Sequence, residues 1–161
     1  MSYKFPDFVA KFPPINMPVT LGEETHHTFS TENEPIPVAM VEQFILPTNP
    51  PGAHDDEYTE YVPCFAIDDT ENFIALVWWK AGLLNYEYTL ATFSAKGELI
   101  SRQVVAFTRV NEQKVSRAVA TIDEDWVIFI AEGDSSGGND FFDPTTSKTY
   151  DLEIMSDGEI V

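Results

Sequence analysis

Short apolar or alternating runs, separated by turn-forming clusters, make up the chain from residue 73 to residue 161. In the most regular unit, residues 86–93 and 99–107 flank the segment Ser94-Ala-Lys-Gly-Glu98. This unit predicts a β-hairpin, because Gly97 can adopt the positive φ that a short hairpin loop needs. Two further hairpins are predicted around the turns at 123–125 and 156–159.

The three hairpins predict a mainly β fold, an antiparallel meander that forms a sandwich or an open barrel. Propeller blades repeat at about 40–50 residues and closure takes about four blades or more, so a propeller fragment completed by another chain is the less favoured alternative. Residues 73–79 are apolar on both faces, which predicts a central strand. Residues 150–154 alternate between apolar and polar, as in a strand with one exposed face.

Proline marks the first third of the chain, where ten of the eleven prolines lie between Pro6 and Pro63. Because proline cannot donate to a sheet ladder, this part is expected to hold loops, sheet edges and one or two short N-terminal helices. Apolar residues at helical spacing predict helices at 6–12 and 37–46. Residues 19–29 suit an edge strand.

Acidic residues outnumber basic ones by 27 to 9, and the net charge is −18. One domain is expected over 1–161, with a Pro-rich acidic part at 1–72 and the β-meander at 73–161. Nucleic acid is excluded as a partner, because phosphate binding requires a basic surface. The carboxylates either keep the protein soluble or offer a surface to a basic protein. The docking residues assigned to that surface lie in the loop at 47–60 and are Asp55, Asp56, Glu57 and Glu60.

The chain contains few signs of catalytic chemistry. It lacks glycine-rich phosphate-binding loops, the His-Glu-x-x-His zinc motif and the Gly-x-Ser-x-Gly nucleophile motif, so no catalytic residue is assigned. Cys64 stands in an apolar stretch and is expected to be a buried structural cysteine. If His26 and His27 lie in a strand, they point to opposite faces and cannot share a metal ion.

Three aromatic residues of the meander, Trp79, Tyr86 and Tyr88, have two interpretations. Aromatic residues in strands are usually part of the core. If these three share an exposed face, they form instead a stacking platform for a sugar or an apolar ligand.

A glycine-rich segment at 132–143 carries the one local pattern with a specific mechanism. Five of its residues have hard oxygen ligands: Asp134, Ser136, Asn139, Asp140 and Asp143. Calcium takes about six to eight such oxygens from a flexible loop, so these residues are a candidate calcium site. The segment does not match an EF-hand, and an ordinary Asp/Gly-rich connection is the alternative. No other cofactor is expected.

The segment Tyr88-Thr-Leu-Ala-Thr-Phe-Ser-Ala-Lys-Gly-Glu-Leu-Ile100, followed by the hairpin at 118–130, resembles a group of β-rich bacterial hypothetical proteins. The resemblance covers about half of the chain and implies a strand, a turn and a strand. It implies no functional residue.

The expected function is that of a non-enzymatic protein-interaction module, of inhibitor or immunity type, whose acidic surface engages a basic partner. The alternative is a small carboxylate-based hydrolase or a carbohydrate-binding domain. A flat acidic face favours the first, and a deep pocket with two convergent acids favours the second. The chain is expected to be soluble and cytoplasmic without a membrane partner, because its longest apolar run is seven residues, it has one cysteine and its start lacks a secretory signal.

Overall fold

The computed structural model describes residues 2–23, 25–51, 55, 58–68, 70–136 and 147–161. The helices in these ranges are α1 (Phe5–Val9), α2 (His26–Glu32) and a continuous helical stretch made of α3 (Val38–Met40), a π-helical turn (Val41–Ile45) and a 3₁₀ turn (Leu46–Thr48). The strands are β1 (Pro14–Ile15), β2 (Val19–Leu21), β3 (Glu60–Ile67), β4 (Ile74–Gly82), β5 (Asn85–Phe93), β6 (Leu99–Asn111), β7 (Lys114–Ile122), β8 (Val127–Ser136) and β9 (Lys148–Glu153).

All of these strands belong to one sheet with the order β1-β3-β4-β5-β6-β7-β8-β9, and β2 pairs with β7. From β3 to β9 each strand is antiparallel to the next one in sequence, so this part is a meander. The sheet is not closed into a barrel. The mainly β, antiparallel fold is thus confirmed. The predicted hairpins are confirmed as well, and Gly97 has a φ of 91° in the turn between β5 and β6.

The first of two buried clusters contains residues from every strand between β2 and β8. In β4, Ala75 and Val77 belong to this first core, whereas Leu76 and Trp78 belong to the second core on the opposite face. All four side chains are buried. The apolar run at 73–79 is therefore a central strand covered on both faces, as the sequence predicts.

The second core lies between β3, β4 and β5 and the helical segments. Phe8 of α1 is fully buried, and its ring centroid lies 4.9 Å from that of Phe44 and 6.4 Å from that of Trp78. Pro6 occupies the first turn of α1, where its fixed φ suits a helix start. The helices predicted at 6–12 and 37–46 are confirmed, although α1 ends earlier than predicted.

β3 is not predicted from the sequence, because it begins in the proline-rich part of the chain, where loops, sheet edges and short helices are expected. It lies inside the sheet, between β1 and β4. Its register shifts between Pro63 and Phe65. A proline is tolerated at such an irregularity, because no ladder hydrogen bond from its nitrogen is needed there.

The prediction of an edge strand at 19–29 is right for Val19–Leu21 and wrong beyond it, since residues 26–32 form α2. Contacts with β3 explain the helix. Phe29 lies 5.8 Å from Phe65, and the side-chain amide of Asn33 donates to the carbonyl oxygens of Pro63 at 2.7 Å and Cys64 at 3.1 Å. These tertiary contacts hold the segment as a helix against the sheet.

Candidate functional site

A pocket of about 260 Å³ lies at the margin of the first core, where strands β4 to β7 meet the connection between β2 and α2. We call it the aromatic pocket, and its lining is Gly22, Glu23, His26, Trp79, Tyr86, Tyr88, Phe107, Thr108 and Ala118. Trp79 and Tyr88 are direct partners on β4 and β5. Their facing positions in the sheet explain why distant residues of the meander share one wall.

Stacked rings form this wall of the aromatic pocket. The His26 and Trp79 rings lie 4.5 Å apart and 10° from parallel, and the Trp79 and Tyr86 rings lie 5.9 Å apart and 8° from parallel. Tyr86 keeps 39% of its surface exposed, whereas Tyr88 is buried. The three residues therefore do not share an exposed face: Tyr88 is in the core, Trp79 is half-buried against it and Tyr86 is exposed. A stacking role for the exposed ring stays a prediction.

Tyr88 ties the connection between β2 and α2 to β5. Its hydroxyl donates to the carbonyl oxygen of Gly22 at 3.1 Å and lies 2.7 Å from the hydroxyl of Thr25. Burial raises the pKa of Tyr88 above its ordinary value, which favours the neutral hydroxyl that donates this hydrogen bond. These hydrogen bonds attach the connection between β2 and α2 to the strand that carries Tyr86 and Tyr88.

His26 and Glu23 present polar atoms at the rim of the aromatic pocket. His26 Nδ1 donates to the backbone carbonyl oxygen of Glu23 at 2.7 Å. Since a carbonyl oxygen only accepts, Nδ1 carries the hydrogen in this contact. The Glu23 carboxylate accepts a hydrogen bond from Arg117 Nε at 3.0 Å and is 56% exposed.

A second pocket, of about 270 Å³, adjoins the aromatic pocket, and Phe107 lines both. We call it the charged pocket, and its lining is Phe107, Arg109, Ser116, Arg117, Glu132, Gly133, Asp134 and Lys148. The Arg117–Glu23 ion pair connects the two pockets, because Glu23 lines the first and Arg117 the second. Arg117 Nη1 also donates to Ser135 Oγ at 3.0 Å.

Three further ion pairs surround the charged pocket. Together with the Arg117–Glu23 pair, they place four of the nine basic residues of the chain at or beside this pocket. The pairs are Arg109–Glu87 at 2.7 Å, Lys114–Asp134 at 2.9 Å and Lys148–Glu132 at 2.8 Å. The register produces this arrangement, because Glu132 and Asp134 are two residues apart on β8 and project to one face. Hydrogen bonds from Lys114 and Ser116 lower the pKa of Asp134 below its ordinary value.

Only part of the candidate calcium site belongs to the described residues. Asp134 and Ser136 lie in β8 rather than in a turn, and Asn139, Asp140 and Asp143 lie outside the described residues. The Asp134 carboxylate is occupied by Lys114 and by Ser116 Oγ, which donates at 2.7 Å. In the described part of the chain, no group of three or more His, Cys, Asp and Glu side chains is placed to hold a metal ion. The calcium site stays a prediction.

The proposed docking loop is also described in part, with Asp56 and Glu57 outside the described residues. The Asp55 carboxylate lies 2.8 Å from Lys80 Nζ and accepts a hydrogen bond from the Tyr61 hydroxyl at 2.5 Å. Only 19% of the Asp55 side chain is exposed, because Lys80 of β4 and Tyr61 of β3 contact its carboxylate. Glu60 is exposed. The docking role of the four residues stays a prediction.

Cys64 and the two histidines of α2 have clear placements. Cys64 is 1% exposed, and burial raises the pKa of its thiol, which confirms the expectation of a buried structural cysteine. The prediction that His26 and His27 point to opposite faces is wrong, because it assumed a strand. Both lie in α2, with their ring centroids 4.0 Å apart.

Glu23 and Arg117 are site residues that the sequence analysis does not identify. They are 94 positions apart and carry no local motif. Gly22 and Phe107 also line the aromatic pocket, and no motif in the sequence identifies them. The one available signal is the trio of aromatic residues, which identifies the wall of the aromatic pocket and not its rim.

Comparison with known proteins gives no match to a protein-family model, to a curated protein or to a solved structure. Among the described residues, no helix has the length and apolar character to cross a membrane. The geometry of the two pockets is therefore the basis for a functional proposal.

Proposed function

We propose that the protein binds carbohydrate by stacking a sugar ring in the aromatic pocket. The observation that carries this proposal is the near-parallel stack of His26, Trp79 and Tyr86, which ends at the exposed Tyr86 ring in a pocket that Glu23 also lines. A sugar ring has an apolar C–H face that packs on an aromatic ring. Its hydroxyls donate to carboxylates and accept from neighbouring donors.

The ring geometry supports a binding wall rather than an ordinary core. Ring pairs within the second core are inclined by 22° to 73°, as expected when rings fill an irregular interior. In the aromatic pocket, Trp79 is within 10° of parallel to both of its neighbours. In such a stack the inner rings cover one another, so the aromatic face open to a ligand is that of the exposed Tyr86 ring.

The carboxylates of the two pockets support binding rather than hydrolysis. Hydrolysis by a carboxylate pair needs one carboxyl whose raised pKa keeps it protonated. The pKa of Asp134 is lowered, and Glu23 and Glu132 are each paired with a cation. In the aromatic pocket the Glu23 carboxylate therefore acts as a hydrogen-bond acceptor for the sugar.

Titration with monosaccharides tests the proposal. We expect glucose, galactose, mannose or N-acetylglucosamine to shift the amide NMR signals of Glu23, Trp79 and Tyr86. The Tyr86→Ala variant, which removes the exposed ring, is expected to weaken binding by about fivefold, because an aromatic contact contributes about 1 kcal/mol.

Phe129→Ala is the matched control, since Phe129 is also an exposed aromatic residue of a strand and does not line the aromatic pocket. It is expected to bind the sugar like the parent protein. The proposal is contradicted if none of the four sugars shifts these signals. It is also contradicted if Tyr86→Ala and the parent bind with equal affinity.

A second candidate function is docking of a basic protein. Val119, Phe129 and Tyr150 are exposed and line a groove on the outer side of β7, β8 and β9, with Phe129 50% exposed. Asp151 and Glu153 are exposed beside it and make no ion pair with another described residue. An apolar centre with an acidic rim, on a protein of net charge −18, is complementary to a basic surface with an apolar centre.

The docking function is tested with a partner captured from the native organism at low ionic strength and then purified. Phe129→Ser is expected to weaken its binding by about tenfold or more, and Asp151→Asn with Glu153→Gln to slow its association. Tyr86→Ala is the control and is expected to bind normally. Equal binding by the parent and Phe129→Ser would place any docking surface elsewhere.

We further propose a cytoplasmic location. It is supported by the single cysteine and by the burial of its thiol, since extracellular proteins of this size commonly carry disulfides. Fractionation of the native cells, followed by detection with an antibody, tests this location. Recovery in an extracytoplasmic fraction would contradict it.

A further inference from the structure

We propose that the aromatic pocket and the charged pocket form one cleft that holds a neutral oligosaccharide of at least two rings. This inference rests on the proposed carbohydrate binding and names its substrate class. One sugar ring stacks against the exposed Tyr86 ring, and the next places its hydroxyls among the ion pairs of the charged pocket.

The arrangement around Phe107 supports a continuous cleft. Phe107 lines both pockets, and the Arg109 guanidinium lies over its ring at 4.0 Å from the centroid. The Arg117–Glu23 ion pair connects the two pockets at a second point. The pockets have similar volumes, about 260 and 270 Å³, so each offers comparable room for one sugar unit.

The ion pairs of the charged pocket select a neutral polar ligand. Arg109, Arg117 and Lys148 each already contact a carboxylate, at 2.7 to 3.0 Å. An anionic group of a ligand would have to compete with that carboxylate, and a cationic group would have to compete with the guanidinium or ammonium. A hydroxyl has both a donor and acceptor lone pairs, so it can bridge the two members of an ion pair without displacing either.

The contribution of these ion pairs to folding stability is too small to explain why they are concentrated at one pocket. Solvent-exposed ion pairs contribute little to folding, and the Lys114 and Lys148 side chains are 61% and 67% exposed. The protein has 27 acidic and 9 basic residues, yet four of the basic residues meet at this one pocket. A ligand site that needs closely spaced donors and acceptors accounts for that placement.

The test compares each of the four monosaccharides with its linear neutral tetrasaccharide by calorimetric titration. We expect the tetrasaccharide of the sugar that binds to have roughly tenfold or greater affinity than the monosaccharide, because hydrogen bonds to charged groups are gained. In the double variant Glu132→Gln with Asp134→Asn, this advantage is expected to disappear while monosaccharide affinity stays unchanged.

Glu98→Gln with Glu153→Gln is the matched control, because it removes two exposed carboxylates outside both pockets. It is expected to keep the tetrasaccharide advantage. Melting temperatures of both double variants are measured to establish that they fold. The Glu132/Asp134 variant should also gain affinity for a tetrasaccharide of galacturonic acid, because Lys148 loses its carboxylate partner.

The outcomes separate this inference from the function on which it rests. If a monosaccharide binds and Tyr86→Ala weakens it, but the tetrasaccharide binds no better, carbohydrate binding stands and the two-pocket cleft is wrong. Retention of the tetrasaccharide advantage in the Glu132/Asp134 variant likewise overturns the cleft alone. If no monosaccharide binds, the proposed function is wrong, and the cleft with it.

Discussion

Gly97 shows at the scale of single residues how local conformation and tertiary packing act together. Its φ of 91° lies in the region that favours glycine, and a Cβ atom there would come within 2.8 Å of Phe5 Cγ. The turn between β5 and β6 therefore needs glycine for its backbone and for its close approach to α1. The sequence predicts the first need and gives no sign of the second.

Gly97→Ala is expected to lower the free energy of unfolding by about 1–2 kcal/mol from the backbone alone, and by more if Phe5 cannot move. Gly22→Ala is the control, because a Cβ atom at Gly22 meets Val119 at an ordinary 3.8 Å. It is expected to stay within about 0.5 kcal/mol of the parent protein. Urea unfolding measures both variants, and equal stabilities would contradict the strain at Gly97.

Asp134 links stability to pH. Hydrogen bonds from Lys114 and Ser116 hold its folded-state pKa below the unfolded value, so the carboxylate form favours the folded state. A group with a lowered pKa contributes stability that is present above its unfolded pKa, near 4, and is lost as the pH falls through its folded pKa. We therefore expect Asp134→Asn to be less stable than the parent protein at pH 7 and to approach it at pH 3.

Asp151→Asn removes the same charge from an exposed position and serves as the control. Its stability relative to the parent protein is expected to change less between pH 7 and pH 3. Urea midpoints at the two pH values provide the measurement. A difference between Asp134→Asn and the parent that is the same at both values would show that the ion pair does not couple stability to pH.

At the scale of elements, β4 organises the molecule because it contributes to both cores. Leu76 faces the second core, with α1 and the helical stretch at 38–48, and Val77 faces the first core, and neither has exposed surface. The uninterrupted apolar run of this strand follows directly from that position. The helices, in contrast, are too short to be stable without the sheet. The helix α1 has only five residues, and the buried Phe8 holds it on the sheet.

Leu76→Asp is expected to abolish soluble folded protein, because an unpaired carboxylate in the second core costs more than about 4 kcal/mol. Val119→Asp is the matched control, since Val119 also lies in a strand but is exposed. It is expected to fold. Soluble yield and melting temperature measure both variants. A Leu76→Asp variant that melts like the parent protein would show that β4 is not central.

For the whole molecule, the net charge of −18 sets how salt and cations act. Raising the ionic strength from about 0.01 M to 0.15 M shortens the Debye length from about 30 Å to about 8 Å, so repulsion among carboxylates weakens. We expect the melting temperature to rise with sodium chloride over this range. No change in melting temperature would mean that the carboxylates are too dispersed to repel one another.

The calcium site is tested against this background of screening. If Asp134, Asp140 and Asp143 share a calcium ion, calcium should raise the melting temperature more than magnesium at equal ionic strength, because magnesium demands stricter octahedral geometry. Asp140→Asn with Asp143→Asn should remove the difference between the two ions. Equal effects of both ions on the parent protein would indicate screening alone.

The pattern of apolar residues was sufficient for most of the architecture. Hairpin turns, a strand buried on both faces and short helices bounded by prolines are local consequences of residue type, and the structure contains all of them. β3 and α2 depart from this rule. Pro63 argues against a strand in the sequence, but β3 accommodates this proline at a register shift. The helix α2 depends on the contacts of Phe29 and Asn33 with β3.

The aromatic pocket depends in contrast on the tertiary structure. Periodicity marks Trp79, Tyr86 and Tyr88 as strand residues, but it does not determine which of them stays exposed. Tyr88 is buried because its hydroxyl meets Thr25 and Gly22, which are more than sixty positions away. The Glu23–Arg117 ion pair spans 94 positions. Alternation along a strand is a property of adjacent residues, whereas a pocket forms where separate strands converge, and only the fold brings them together.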